Sequence, residues 1–180
     1  VAFAPDLTIP VLREIYEHHR AKAWGRFGFY DAFNPASGWS AYAYLGIDVG
    51  PTMLMIENHR TGRVWEWFMD EPAIAEAMRR TGFKRTGGRL QNADIEYLRK
   101  LTRETWDCIA HFVHPETGLP YDSSARQEFT SVSNIGLYLA ALAVARDMGF
   151  IPGAEALRRA DKVLASIEKF PAWRGFCQCW

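Results

Sequence analysis

The chain has 180 residues, with 21 Lys and Arg against 21 Asp and Glu, a length that suits one ordinary domain or two very small ones. At 48% hydrophobic and 23% charged residues it is no disordered polymer. A net charge of zero excludes a broad phosphate-tracking surface, so nucleic acid is not an expected partner, although a local patch can still meet a polar ligand.

In chain order, a first helix is predicted over residues 10–24, capped by Asp6 or Thr8, with Leu12, Ile15, Tyr16 and His19 on one face. From 25 to 46 the helical pattern breaks at Gly28, Asn34-Pro35, Ser37-Gly38 and Gly46, which predicts a long functional loop with short extended pieces. Helicity resumes after Asp48, with Pro51 in the first turn, and the apolar run Thr52-Met53-Leu54-Met55-Ile56 predicts a buried helix. Thr61-Gly62 breaks it. Val64, Trp65 and Phe68 then belong to a short helix, and Asp70 caps another over 71–81 with Ile74, Ala77 and Met78 toward the core.

Gly82, Gly87 and Gly88 among basic residues mark a solvated linker at 84–91, dividing the chain into 1–83 and 92–180. Asn92 or Asp94 opens a long helix with Ile95, Leu98, Leu101, Thr105, Ile109 and Phe112 at three- and four-residue steps. After a loop over 114–130, an apolar helix runs over 131–148. Gly149 ends it, and a last helix carries Leu157, Ala160, Leu164 and Ile167 as its core stripe before Pro171. No strand pattern is strong. An all-α chain of six or seven helices with long loops is expected.

The aromatic residues are unevenly placed: Trp24, Phe27, Phe29, Tyr30, Phe33, Trp39, Tyr42 and Tyr44 fall within one short stretch. Such density suits either core or the wall of a sugar-sized cleft. Cys108 sits on a helical apolar stripe and reads as a buried thiol, while Cys177 and Cys179 have neither zinc-knuckle nor redox spacing. His111 and His114 lack a carboxylate-rich cluster to complete a metal site, so no metal and no cofactor are expected. No run of 18 apolar residues occurs, so no membrane span is expected. A start at Val1, without Met or a signal peptide, reads as a processed or excised segment.

Chemistry points to carboxylates among aromatics. Asp48, between Ile47 and Val49 and flanked by glycines, is either a helix cap or a group that acts on a substrate. Asp31 lies within Gly28-Phe29-Tyr30-Asp31-Ala32-Phe33, and Asp122, Arg126 and Glu128 lie in the second loop, where they brace it or position a polar ligand. Glycosidic hydrolysis needs one carboxylic acid to protonate the leaving oxygen and another carboxylate to activate water or attack the sugar. Flat aromatic walls bind the apolar faces of sugar rings, and carboxylates or Arg take the hydroxyls.

Gly28-Phe29-Tyr30-Asp31-Ala32-Phe33, with Tyr44-Leu45-Gly46-Ile47-Asp48-Val49-Gly50-Pro51, Met55-Ile56-Glu57-Asn58, Thr61-Gly62 and Trp67-Phe68-Met69, closely resembles the C-terminal half of bacterial glucoamylase-like domains. These domains are related to endo-β-1,2-glucanases and to a module of cyclic β-1,2-glucan synthases. Thr105-Trp106-Asp107, His114-Pro115-Glu116-Thr117-Gly118-Leu119-Pro120, Thr130-Ser131-Val132-Ser133-Asn134-Ile135-Gly136-Leu137 and Arg174-Gly175-Phe176 resemble the N-terminal half of the same domain. The tail-like half thus covers 1–83 and precedes the head-like half at 92–180, with the middle absent.

The resemblance implies part of an (α/α)6 toroid with a sugar cleft at one end. It places Asp48 there as a catalytic or substrate-polarising acid, with Asp31, Trp39 and Tyr44 lining the cleft and Asp122 reaching toward it; Arg126 joins Asp122 as a candidate ligand-positioning residue. The glucanases' general acid is expected in the missing central portion. A glucan oligosaccharide is the expected partner, and the bacterial periplasm or cell envelope the expected compartment. The reversed order fits a piece of a tandem protein, a circular permutation, or an incomplete toroid completed by another copy or segment. Activity on a β-glucan and a non-catalytic role in glucan binding or assembly are the two functional expectations.

Overall fold

The computed structural model describes residues 3–83 and 95–170, together with the backbone of 172–173 and 176–177. The expected linker at 84–91, the Asn92 or Asp94 cap, Pro171 and the Arg174-Gly175 part of the last motif lie outside the described residues. The fold is largely helical. Eight helices occur among the described residues, rather than six or seven, and three antiparallel pairs of two-residue strands replace the strand-free expectation.

Helix α1 (Pro5–His18) starts at Pro5 rather than at residue 10, because a proline in a first turn sacrifices no hydrogen bond. Neither Asp6 nor Thr8 is its cap; Ala4 holds that position, and the Thr8 hydroxyl donates back to the Ala4 carbonyl at 2.9 Å. His19 leaves helical geometry at φ −120°, so the rest of the expected helix becomes a separate turn, α2 (Arg20–Ala23). This break supplies one of the additional helices. Two hairpins follow, β1 (Trp24–Gly25) with β2 (Gly28–Phe29), and β3 (Phe33–Asn34) with β4 (Trp39–Ser40).

The central helix is α3 (Gly46–Thr61), followed by α4 (Arg63–Met69) and α5 (Pro72–Arg80). Glu71, not Asp70, caps α5, its carboxylate accepting from the Ala73 N–H. Helix α6 (Ile95–His111) leads to the second loop, then to α7 (Val132–Asp147), capped by the Ser131 hydroxyl, and α8 (Gly153–Ile167). The last strands are β5 (Ala172–Trp173) and β6 (Phe176–Cys177).

Helix α3 lies against both α6 and α7, so the main core draws on both parts of the chain. Met53 and Leu54 share one buried cluster with Trp106 and Ile109 of α6, Tyr138 and Leu142 of α7, and Val163 of α8. Removing such surfaces from water contributes ~25 cal/mol per Å². A second cluster joins Ile9, Trp24 and Ile56 to Leu98 and Leu101. Close approach of α3 to α7 depends on small residues: a Cβ on Gly46 would stand 2.5 Å from the Asn134 side-chain oxygen, and one on Gly50 would stand 2.9 Å from Leu137 Cβ.

The expected core stripe of α8 is shifted. Ala156 and Val163 are buried, with Ala160 and Ile167 beside them, whereas Leu157 and Leu164 point outward at 67% and 49% exposure. The smaller residues occupy the face that closes on α7. Inside α3, Glu57 is fully buried and is neutralised by a bidentate pair to Arg60, Nε–Oε2 and Nη2–Oε1 both 2.8 Å, plus the Thr61 hydroxyl.

Candidate functional site

The aromatic loop is folded by its own backbone. Tyr30 N–H donates to the Ala23 carbonyl, Asp31 N–H to Ala43, and Ala41 N–H to Ala32, at 2.9, 2.8 and 2.9 Å. Gly25 leaves room for this packing, because a Cβ there would run into the hydroxyl oxygens of Tyr44 and Tyr30. The result holds Asp31 over the start of α3.

The loop and α3 enclose an open cleft of about 330 Å³ lined by Phe27, Tyr30, Asp31, Asp48, Thr52 and Thr105, among others. Asp31 and Asp48 are the acidic residues of that lining, and they lie within hydrogen-bonding reach of each other. Asp48 is exposed at the cleft surface. Partial desolvation raises its carboxyl above the ordinary value of 3.8, and the Asp31 hydrogen bond and negative charge push in the same direction. This occurs in the first turn of α3, where the helix dipole works toward ionisation.

The cap position of α3 is occupied by Leu45, which offers no capping side chain. Asp48 is therefore a first-turn residue rather than the N-cap. Its backbone carbonyl accepts from the Thr52 hydroxyl at 2.8 Å, and its carboxyl interacts with that of Asp31.

The other expected site residues divide. Trp39, in β4, is 56% exposed and is not part of the cleft lining. Tyr44 is buried; its hydroxyl accepts from the Phe27 N–H at 3.2 Å, and its ring lies 5.2 Å from that of Tyr30. Burial pushes the Tyr44 hydroxyl up to about 12. It lines a neighbouring narrow pocket of about 30 Å³ with Cys108, Phe112, Asn134 and Tyr138. Cys108, as expected, is a buried thiol, pushed up to about 12 by burial.

Asp122 braces the base of α3. Its carbonyl accepts from the Gly46 N–H at 2.9 Å, and its carboxylate accepts from the Asn134 amide. Beside it Leu45 and Ser123 form an isolated antiparallel bridge, and Ser124 exchanges bonds with Tyr44: Tyr44 N–H to Ser124 Oγ at 2.9 Å, Ser124 N–H to the Tyr44 carbonyl at 3.0 Å. Arg126 and Glu128 are exposed in the same loop.

Leu101 and Thr105 of α6 complete the cleft wall, yet their sequence signal was only that of a core stripe. Glu104, next to them on α6, has its carboxyl raised by burial, and its buried Oε2 has no hydrogen-bond partner among the described residues. Nothing in the spacing of α6 marked it. Among the described residues no group of three or more His, Cys, Asp or Glu is placed to hold a metal ion, and no helix is long and apolar enough to cross a membrane.

Comparison with known proteins agrees with the resemblance to glucoamylase-like modules of β-1,2-glucan-active proteins. Residues 1–72 match the model of the Glycoamylase (glucoamylase) family, and residues 100–175 match a family described as a protein of unknown function, DUF3131. An exo β-1,2-glucooligosaccharide sophorohydrolase (non-reducing end) from Parabacteroides distasonis is 35% identical over 78 residues, 43% of this chain and 11% of that protein. The cyclic β-(1,2)-glucan synthase NdvB of Rhizobium meliloti is 36% identical over 93 residues, 48% of this chain and 3% of the synthase. The chain thus spans only a small fraction of these bacterial proteins, and no solved structure matches it. By this shared sequence the chain is related to the glucoamylase-like, glycoside-hydrolase-type modules of β-1,2-glucan-active proteins.

Proposed function

We propose that this chain is a glycoside-hydrolase-type module acting on a β-glucan, β-1,2-linked, through the carboxyl of Asp48. The observation that carries the reading is the Asp31–Asp48 pair in an open, aromatic-walled cleft. Desolvation and the neighbouring Asp31 carboxyl raise the proton affinity of Asp48, the direction a general acid needs.

The same closeness limits what the pair does alone. Acid and nucleophile on opposite sides of a glycosidic bond stand about 5–5.5 Å apart, and an acid and a water-activating base about 6.5–9.5 Å. Asp31 and Asp48 therefore act as one unit on one side of the sugar. A second catalytic carboxylate comes from another segment or another copy, in a completed (α/α)6 ring. The exposed Leu157 and Leu164 on α8 support that assembly, and a solution mass above that of one chain is its expected signature; a compact monomer counts against completion by a second copy. In this reading Asp31 and the aromatic wall bind the glucan, Trp39 and Arg126 meet it outside the cleft, and Tyr44 and Asp122 hold the wall and the base of α3. The compartment is the bacterial periplasm or cell envelope.

The test is reducing-sugar release from linear β-1,2-glucan by the chain and by Asp48→Asn. Release that the substitution removes is the expected result where a second copy completes the site; none above blank at high protein concentration defeats the claim that this chain alone is an enzyme. The second reading, a partial domain that binds glucan without cleaving it, is favoured by the absence of a further Asp or Glu from the described cleft lining. It predicts calorimetric glucan binding without product.

A further inference from the structure

Tyr42 carries no role in the reading above, yet its geometry is unusual. Its φ is 48°, the one positive value for a non-glycine residue among those described. A bulky side chain holds that left-handed conformation only where its surroundings impose it. Here the restraints are identifiable. The Tyr42 N–H reaches Ser40 Oγ at 3.4 Å, and the Ser40 hydroxyl in turn donates to the Lys22 carbonyl at 2.6 Å. Lys22 Nζ donates to the Tyr42 hydroxyl at 3.1 Å. The ring stands nearly perpendicular to that of Tyr30, with centroids 5.3 Å apart at 74°.

Despite these restraints, Tyr42 remains 54% exposed. Tyr30, against which it packs, lines the cleft next to Asp31. Tyr42 therefore carries the aromatic wall outward from the carboxylates to the rim. A ring fixed at its backbone, its edge and its hydroxyl has already lost the freedom that binding would otherwise cost. An exposed, rigid, flat surface with a polar tip suits the apolar face of a pyranose.

We infer that Tyr42 is a preformed carbohydrate-stacking platform at the cleft rim, holding a glucosyl unit of a longer chain beyond the unit at the carboxylates. This rests on the glucan reading and deepens it by assigning a determinant of chain-length preference. Lys22, braced on the same hydroxyl, retains ammonium hydrogens to donate to sugar hydroxyls.

The experiment compares calorimetric binding of a β-1,2-linked glucopentaose and of the corresponding disaccharide to wild type, Tyr42→Asn and Tyr42→Phe. Asparagine tolerates the left-handed backbone and removes the ring, whereas phenylalanine keeps the ring. Tyr42→Asn is expected to weaken pentasaccharide binding about tenfold, the size of a lost ring contact, and disaccharide binding less than twofold. Tyr42→Phe retains the preference for the longer chain. If Tyr42→Asn fails to fold, Tyr42→Gly, which adopts the same φ freely, takes its place. Unchanged pentasaccharide binding, or equal loss on both sugars, overturns the platform alone. Wild type that binds neither sugar overturns the platform and the glucan reading together.

Discussion

At the scale of single residues, two carboxylates make opposite demands on pH. Asp48 is raised, first by desolvation and then by its Asp31 hydrogen bond. Its native state therefore holds a proton that the unfolded chain has already released, and its contribution to stability, full below about 3.8, is lost as pH rises through the folded pKa. Asp147 is the reverse: burial alone would raise it, but hydrogen bonds from Arg146 and Arg63 hold it below 3.8. That contribution is present above 3.8 and is lost as pH falls through the depressed folded value. In chemical denaturation across pH, Asp48→Asn is expected to be more stable than wild type at pH 7, with the gain shrinking toward pH 4. Asp147→Asn should show a loss at pH 7 that narrows in acid. A constant offset for Asp48→Asn would remove its raised proton affinity from the account.

Among elements, α3 shows how far periodicity reaches. Its buried character was legible from the run Thr52-Met53-Leu54-Met55-Ile56, since a helix apolar nearly all round has to be covered on several sides. The close approach to α7 was not legible, because it depends on which distant side chain faces Gly46 and Gly50, and Asn134 and Leu137 lie far along the chain. Gly46→Ala places a methyl group against the Asn134 amide, so a loss of about 1–3 kcal/mol is expected in denaturant unfolding. Gly136→Ala, on α7 with open space around the added Cβ, is the matched control and should be neutral or mildly stabilising. The misread elements have similar causes. Residues 10–24 had the right apolar spacing, but the break at His19 and the start at Pro5 are set by backbone torsion and by a proline's tolerance of the first turn. On α8 the packed face keeps Ala160 and Ile167 of the expected stripe but uses Ala156 and Val163 in place of the larger Leu157 and Leu164.

For the whole molecule, the pairing of the two parts matters more than either part. Asp31 and Asp48 were legible as candidates from their acidic side chains among aromatic and apolar neighbours, but their meeting was not, since it needs the Asp31–Ala43 and Tyr30–Ala23 backbone bonds. Leu101 and Thr105 were hidden for the same reason: the cleft wall they form exists only once α6 packs beneath the aromatic loop. Because α3 is covered by α6 and α7, fragments 1–83 and 84–180 expressed separately are expected to be poorly folded, and to copurify with restored helical circular dichroism when produced together. Independent folding of both fragments, with no association, would contradict a shared core.

The position of α3 also has a consequence for biosynthesis. It is completed at Thr61, but its covering partner α7 ends only at Asp147. At about 5–20 residues per second, that leaves roughly 4–17 s in which Met53 and Leu54 lack their final neighbours from α7. The nascent chain therefore passes through a sticky interval on the ribosome, and slowing elongation between residues 61 and 147 lengthens its exposure to aggregation before α7 covers the core face of α3.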